Sequence, residues 1–92
     1  MTNDAGSPRL ALVTGATGYV GSNLTTELLK RGWRVRTLSR SRDKALSMPW
    51  GDKIVTEGES AGAGQVEVFE GDATSSEDLH NALALADATF YL

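Results

Sequence analysis

Cysteine is absent from this 92-residue chain, which excludes disulfide frameworks, thiolate metal sites and cysteine nucleophiles together. Histidine is nearly absent: His80 stands alone, with no second imidazole or thiol to share a metal, and reads as a surface residue. No apolar run approaches the roughly 18 residues of a membrane span. Positive charge is not in excess either. Nine Lys and Arg against twelve Asp and Glu leave a net charge of −3, which argues against nucleic acid or an anionic membrane as the main partner. The stretch from Met1 to Pro8 lacks the apolar core of a signal peptide. Rich in turn-forming polar residues, 1–8 reads as a disordered leader, and the cytoplasm is the expected compartment. What remains, with 40% hydrophobic and 23% charged residues, is the make-up of one small globular domain. A chain of this length buries only about 60–65% of the surface it exposes when unfolded.

Strand and helix patterns alternate through that domain. Residues 9–14 form an apolar run between Pro8 and Gly15, as expected of a strand buried on both faces. From Val20, the positions Val20, Leu24 and Leu28 recur every four residues with Leu29 beside them. Lys30, Arg31 and Gly32 supply a cationic last turn and a left-handed cap, so a helix is expected over 18–31. Trp33 to Ser39 reads as a second strand, Ser41 to Met48 as a short helix ended by Pro49, and the glycine-rich 51–65 as a solvated loop. Val66 to Phe69 reads as a third strand. Thr74 with Glu77 and Ser75 with Asp78 form overlapping capping-box patterns before a helix whose stripe is Leu79, Ala82, Leu83 and Ala86. Ala88 to Leu92 is a fourth strand. Trp33 and Trp50 read as packing residues. The sum is an α/β chain, β-α-β-α-β-α-β, with a parallel sheet and right-handed crossovers. Doubly wound topology gives strand order 3-2-1-4, with a ligand-binding switch point between the first and fourth strands.

At that point sits Gly15-Ala16-Thr17-Gly18-Tyr19-Val20-Gly21, after a strand and before a helix. Gly15 permits a tight exit from the strand. Gly18 lets a pyrophosphate approach the backbone, and Gly21 lets the helix pack closely on the sheet. Thr17 offers a hydroxyl, while Tyr19 and Val20 offer N–H groups in the first helical turn. The loop therefore points to a dinucleotide. At the tip of the second strand, where a carboxylate would accept from both ribose hydroxyls and repel a 2′-phosphate, stand Ser39 and Arg40, with Arg42 and Lys44 behind. A guanidinium pairs a phosphate in bidentate fashion, so NADP(H) is favoured over NAD(H). Arg31, Arg34, Arg36, Arg40 and Arg42 are close in sequence. Arg34 and Arg36 share one strand face and need not converge with the others, and no aromatic stacking pattern accompanies them, so nucleic acid is not expected.

The segment Val13 to Gly21 resembles the cofactor loop of extended and atypical short-chain dehydrogenase/reductases, which are NAD(P)-binding Rossmann proteins. Arg36-Thr37-Leu38-Ser39-Arg40 is similar to the second-strand end of their NmrA-like, NAD(P)H-binding branch. Glu70-Gly71-Asp72-Ala73 and Asp87 to Leu92 resemble the family's Gly-Asp segment and fourth strand. The resemblance runs from about Arg9 to Leu92 and is weakest over 51–65. It implies that 9–92 is the N-terminal half of a Rossmann domain, that Asp72 lies beside the adenine, and that Ala73 gives a backbone contact. The family's reductases use a tyrosine and a lysine four residues apart, after the fourth strand. No Tyr-x-x-x-Lys occurs here. The expectation is thus the NADP(H)-binding portion of an oxidoreductase, truncated and not catalytic by itself. The competing expectations are a non-catalytic NADP(H)-sensing module of NmrA-like type, or an inactive remnant that self-associates through an exposed fourth strand.

Overall fold

The computed structural model describes residues 8–92, so the leader expected over 1–8 falls, apart from Pro8, outside the described residues. The first strand, β1 (Leu10–Thr14), is buried along its whole length. It can be, because an uninterrupted apolar run suits a parallel strand covered on both faces. It lies inside a four-stranded sheet of order β3-β2-β1-β4, with β2 at Arg34–Ser39, β3 at Val66–Glu70 and β4 at Ala88–Phe90. Every pairing is parallel, with Leu10 opposite Arg34, Val35 opposite Val66 and Ala11 opposite Ala88. The strand order is the one expected from the alternation of elements.

Helices cover both faces. On one, Ala11, Val13, Val35 and Val66 meet Leu28 of α1 (Tyr19–Lys30), Ala45 of α2 (Arg42–Leu46) and Trp50. On the other, Leu12 and Leu38 meet Ala82 of α3 (Ser76–Ala82), with Phe69, Leu79 and Ala86 packed around them. The C-terminus of α1 ends as the sequence suggests. Gly32 takes φ +83°, its N–H donates to the Leu29 carbonyl at 3.0 Å, and the Trp33 N–H donates to the Leu28 carbonyl at 3.1 Å.

Several local expectations shift. The buried stripe of α1 is Gly21, Thr25 and Leu28, and Val20 is exposed, because close packing at Gly21 turns the helix by one position relative to the pure apolar pattern. The helix α3 stops at Ala82 and leaves Leu83 and Leu85 exposed. Its cap is Ser75, whose hydroxyl accepts from the Asp78 N–H at 3.2 Å; the Thr74–Glu77 box does not form, since Thr74 is bound to Asp72 instead. The segment 51–65 is more ordered than a solvated loop. It contains a 3-10 turn at Gly51–Lys53, and the Val55 N–H donates to the Val66 carbonyl at 2.8 Å beside a parallel bridge between Ile54 and Val66. Ala61 is buried. Its N–H meets Glu67 Oε1 at 2.7 Å and its carbonyl meets Arg34 Nε at 3.0 Å. Polar side chains of the sheet draw this segment in, and no hydrophobic pattern marks it.

Arg36 ties three elements together. Its Nε donates to Glu67 Oε2 at 2.6 Å, and its Nη1 donates to the carbonyls of Ala82 and Ala84 at 2.6 and 2.7 Å. Both charged side chains are largely sequestered, at 13% and 15% exposure, and a cation suits the carbonyl end of α3. Arg36→Met should therefore destabilise the chain by about 3 kcal/mol, because Glu67 and two carbonyls lose their partner. Adding Glu67→Gln should recover part of the loss, as read by urea denaturation of both variants.

Candidate functional site

The glycine turn follows the C-terminal end of β1, between β2 and β4. Gly15 adopts φ +67°, a conformation that an L side chain rarely takes, and its carbonyl accepts from the Gly18 N–H at 3.0 Å. Gly21 is buried against this turn. A Cβ there would come within 2.7 Å of the Gly15 carbonyl carbon and 2.9 Å of Ala16 Cα. Only glycine lets α1 start this close to the strand.

Among the α-helices of the described residues, α1 is the one whose N-terminus is left open. Its N-cap, Gly18, gives no side-chain hydrogen bond, and its first turn carries no acidic residue. In contrast, α2 is capped by Ser41 and α3 by Ser75, each with acidic residues in the first turn. The N–H groups of Tyr19 and Val20 belong to the set that has no intrahelical acceptor, so this end of the helix carries an uncompensated partial positive charge. The Gly18 N–H is spent within the turn. The side chains of Tyr19 and Val20 are exposed, at 85% and 63%, and stay out of the adjoining cleft.

That cleft has a volume of about 420 Å³ and opens over the carboxyl ends of β1, β2 and β3. Of the residues singled out in the sequence, Gly15, Thr17, Ser39, Arg40, Asp72 and Ala73 line it together. Sequence reasoning passed over Ser41 and Thr74 and gave Lys44 only a secondary place, yet all three share the lining. The Ser41 signal was available, since a serine three residues ahead of Lys44 is an N-cap pattern: its hydroxyl accepts from the Lys44 N–H at 3.1 Å. Arg42 turns elsewhere, with Nη2 donating to the Val55 carbonyl at 2.8 Å. The arginines close in sequence thus disperse: Arg31 pairs with Glu27, Arg34 and Arg36 serve the sheet, and Arg40 alone lines the cleft.

The Gly-Asp turn after β3 is held at both ends. The Gly71 N–H donates to the Ser39 carbonyl at 2.9 Å, and the Asp72 N–H donates to Asp78 Oδ2 at 2.9 Å. Asp72 Oδ1 accepts from the Thr74 N–H and hydroxyl at 2.9 and 2.8 Å, and Oδ2 faces Arg40 Nη2 at 3.3 Å. These hydrogen bonds from Thr74, with the Arg40 charge adding to them, hold the Asp72 carboxyl below the usual carboxylate range. On the far wall β4 ends at Phe90, short of the expected Leu92. Tyr91 and Leu92 leave the sheet and line the cleft, and the Leu92 N–H donates to the Thr14 hydroxyl at 3.0 Å. Phe90 is half-buried against the core, whereas Tyr91 and Leu92 are exposed. Among the described residues no helix is long and apolar enough to cross a membrane, and no metal-binding group of acidic, His or Cys side chains gathers.

A parallel 3-2-1-4 sheet with a glycine turn and an open helix N-terminus at the switch point is the arrangement of the Rossmann class of dinucleotide-binding domains. More narrowly, the chain belongs to the NAD dependent epimerase/dehydratase family, whose model matches residues 11–92. It is 36% identical over 80 residues to a 3-beta-hydroxysteroid dehydrogenase of Mycolicibacterium neoaurum, covering 87% of this chain and 18% of that one. It is 56% identical over 36 residues to the chloroplastic divinyl chlorophyllide a 8-vinyl-reductase of Zea mays, covering 39% and 9%. With Protein TIC 62 of Pisum sativum it shares 32% identity over 87 residues, covering 90% and 16%. The chain spans less than a fifth of the length of each of these relatives.

Two outcomes follow from this geometry. Gly21→Ala should cost about 1–3 kcal/mol by forcing α1 off the Gly15 turn, seen as a lower melting temperature. In an NMR pH titration, Asp72 should lose its charge at lower pH than an aspartate in a free peptide. Because its folded pKa is depressed, whatever its pairing adds to stability is present above the ordinary carboxylate pKa and fades as pH falls through the depressed one.

Proposed function

We propose that this chain is the NADP(H)-binding portion of an oxidoreductase related to the short-chain dehydrogenase/reductases. The observation that carries the reading is the meeting of Ser39, Arg40, Ser41 and Lys44 on one cleft beside the glycine turn, with no carboxylate at the tip of β2. The residues suit the group. The open end of α1 takes the pyrophosphate, using the N–H groups of Tyr19 and Val20, with Thr17 beside them. Arg40 and Lys44 supply cations for a 2′-phosphate and Ser39 a hydroxyl. The Gly71–Ala73 turn takes the adenine side, where Asp72 and Ala73 form the wall. The bound nicotinamide would accept or deliver a hydride; this part of the chain contributes binding and orientation. The Arg36–Arg40 segment supports a place in the atypical, NmrA-like branch, and the 9–92 span supports the first half of the Rossmann unit.

Titration of the purified 92-residue chain with NADPH and NADH tests the reading. NADPH should bind more tightly, and Arg40→Asp should move the ratio of the two affinities toward NADH by at least about tenfold, the worth of a charge-assisted pair. An unchanged ratio removes Arg40 from the 2′-phosphate. Failure of both dinucleotides to bind at millimolar concentration removes the cofactor reading itself.

A further inference from the structure

The guanidinium read as the partner of a 2′-phosphate is already engaged. Arg40 Nη2 lies 3.3 Å from Asp72 Oδ2, and both side chains line the same cleft. The two partners are held very differently. Asp72 is fixed: Oδ1 is committed to the Thr74 N–H and hydroxyl, its own N–H is committed to Asp78, and Oδ2 is the oxygen left for a cation. Arg40 is held loosely, through one N···O contact, with 77% of its side chain exposed. An immobilised carboxylate thus holds a guanidinium that retains unused donors.

Two anions then compete for one cation. A phosphate takes an arginine in bidentate fashion and outweighs a single carboxylate contact, so the pair with Asp72 yields when a 2′-phosphate arrives. Breaking it subtracts from the affinity for the phosphorylated dinucleotide. A ribose 2′-hydroxyl makes no such demand, and affinity for the unphosphorylated dinucleotide is untouched by the exchange. We propose that Asp72 is a specificity-determining residue of this cleft: as the internal counter-ion of Arg40, it reduces the preference for 2′-phosphorylated over unphosphorylated dinucleotide that Arg40 alone would give. The proposal rests on the reading of the cleft as the dinucleotide site with Arg40 at the 2′-phosphate.

The test is a double-mutant cycle on the 92-residue chain, with dissociation constants for NADPH and NADH measured by fluorescence titration of the starting chain, Asp72→Asn, Arg40→Ala and the pair. Asparagine keeps an Oδ1 acceptor for Thr74, and thermal melting checks that the fold is retained; Asp72→Ser replaces it if the first variant melts early. Reading the ratio of the two affinities cancels any loss of an adenine contact, which both dinucleotides share. Asp72→Asn should raise the NADPH-over-NADH ratio by about two- to fivefold, the scale of an exposed ion pair. In the Arg40→Ala background the rise should be clearly smaller. A ratio that is unchanged or lowered with Arg40 present overturns the proposal, as does an equal rise in both backgrounds. If Arg40→Ala itself leaves the starting ratio intact, the placement of Arg40 fails and the proposal fails with it. If Arg40→Ala abolishes the preference while Asp72→Asn does nothing, the placement stands and only the counter-ion role is lost.

Discussion

The close approach of α1 to the end of β1 is the constraint on which the rest depends. Gly21 lies so near the Gly15 turn that a single added carbon would overlap its backbone, and Gly15 needs a left-handed conformation to make that turn. With both satisfied, the helix leaves the sheet at once, its open N-terminus at the switch point between β1 and β4. Partial positive charge is then fixed where the strands end. The same packing sets the rotation of the helix, which is why Gly21, Thr25 and Leu28 face inward and Val20 does not.

Polar groups, more than apolar ones, decide how the remaining pieces join. Arg36 binds Glu67 across β2 and β3 and reaches the carbonyls of Ala82, at the end of α3, and of Ala84 just beyond it. Glu67 and Arg34 together hold Ala61, so a glycine-rich segment with little hydrophobic content still closes against the sheet. Ile54 and Val55 pair with the start of β3 and shield part of that edge. On the cleft side, Thr74 and Asp78 fix the Asp72 turn with three hydrogen bonds before any ligand is considered. The cleft is therefore built on a rigid wall at Asp72 and a loosely held cation at Arg40.

Much of the fold was legible because it follows from local rules. An unbroken apolar run marks a strand buried on both faces, three glycines at fixed spacing mark a tight turn into a helix, and alternation of strands with helices leaves few allowed topologies. The places where the reading slipped are those where a polar contact outside the periodic pattern took over. The glycine-rich 51–65 was drawn onto the sheet through Arg34 and Glu67, and the Thr74–Glu77 half of the double cap was lost to Asp72. Ser41 and Thr74 joined the cleft through turns that no periodicity describes.

The sequence by itself determined the parallel 3-2-1-4 sheet, the glycine turn and the identity of the groups at the ends of the first three strands, because the elements follow local patterns and their alternation leaves few allowed topologies. Only the tertiary structure decided which charges meet. Arg36 lies inside β2 and Arg40 one position past its end, four residues apart in sequence, yet one is sequestered on Glu67 and α3 while the other faces Asp72, 32 residues away, on the cleft. Arg36 is held by the strand while Arg40 lies past its end, in the turn that leaves the sheet, and the crossovers bring each its partner. Electrostatics at a site depends on distances in space, and those exist only once the chain has folded.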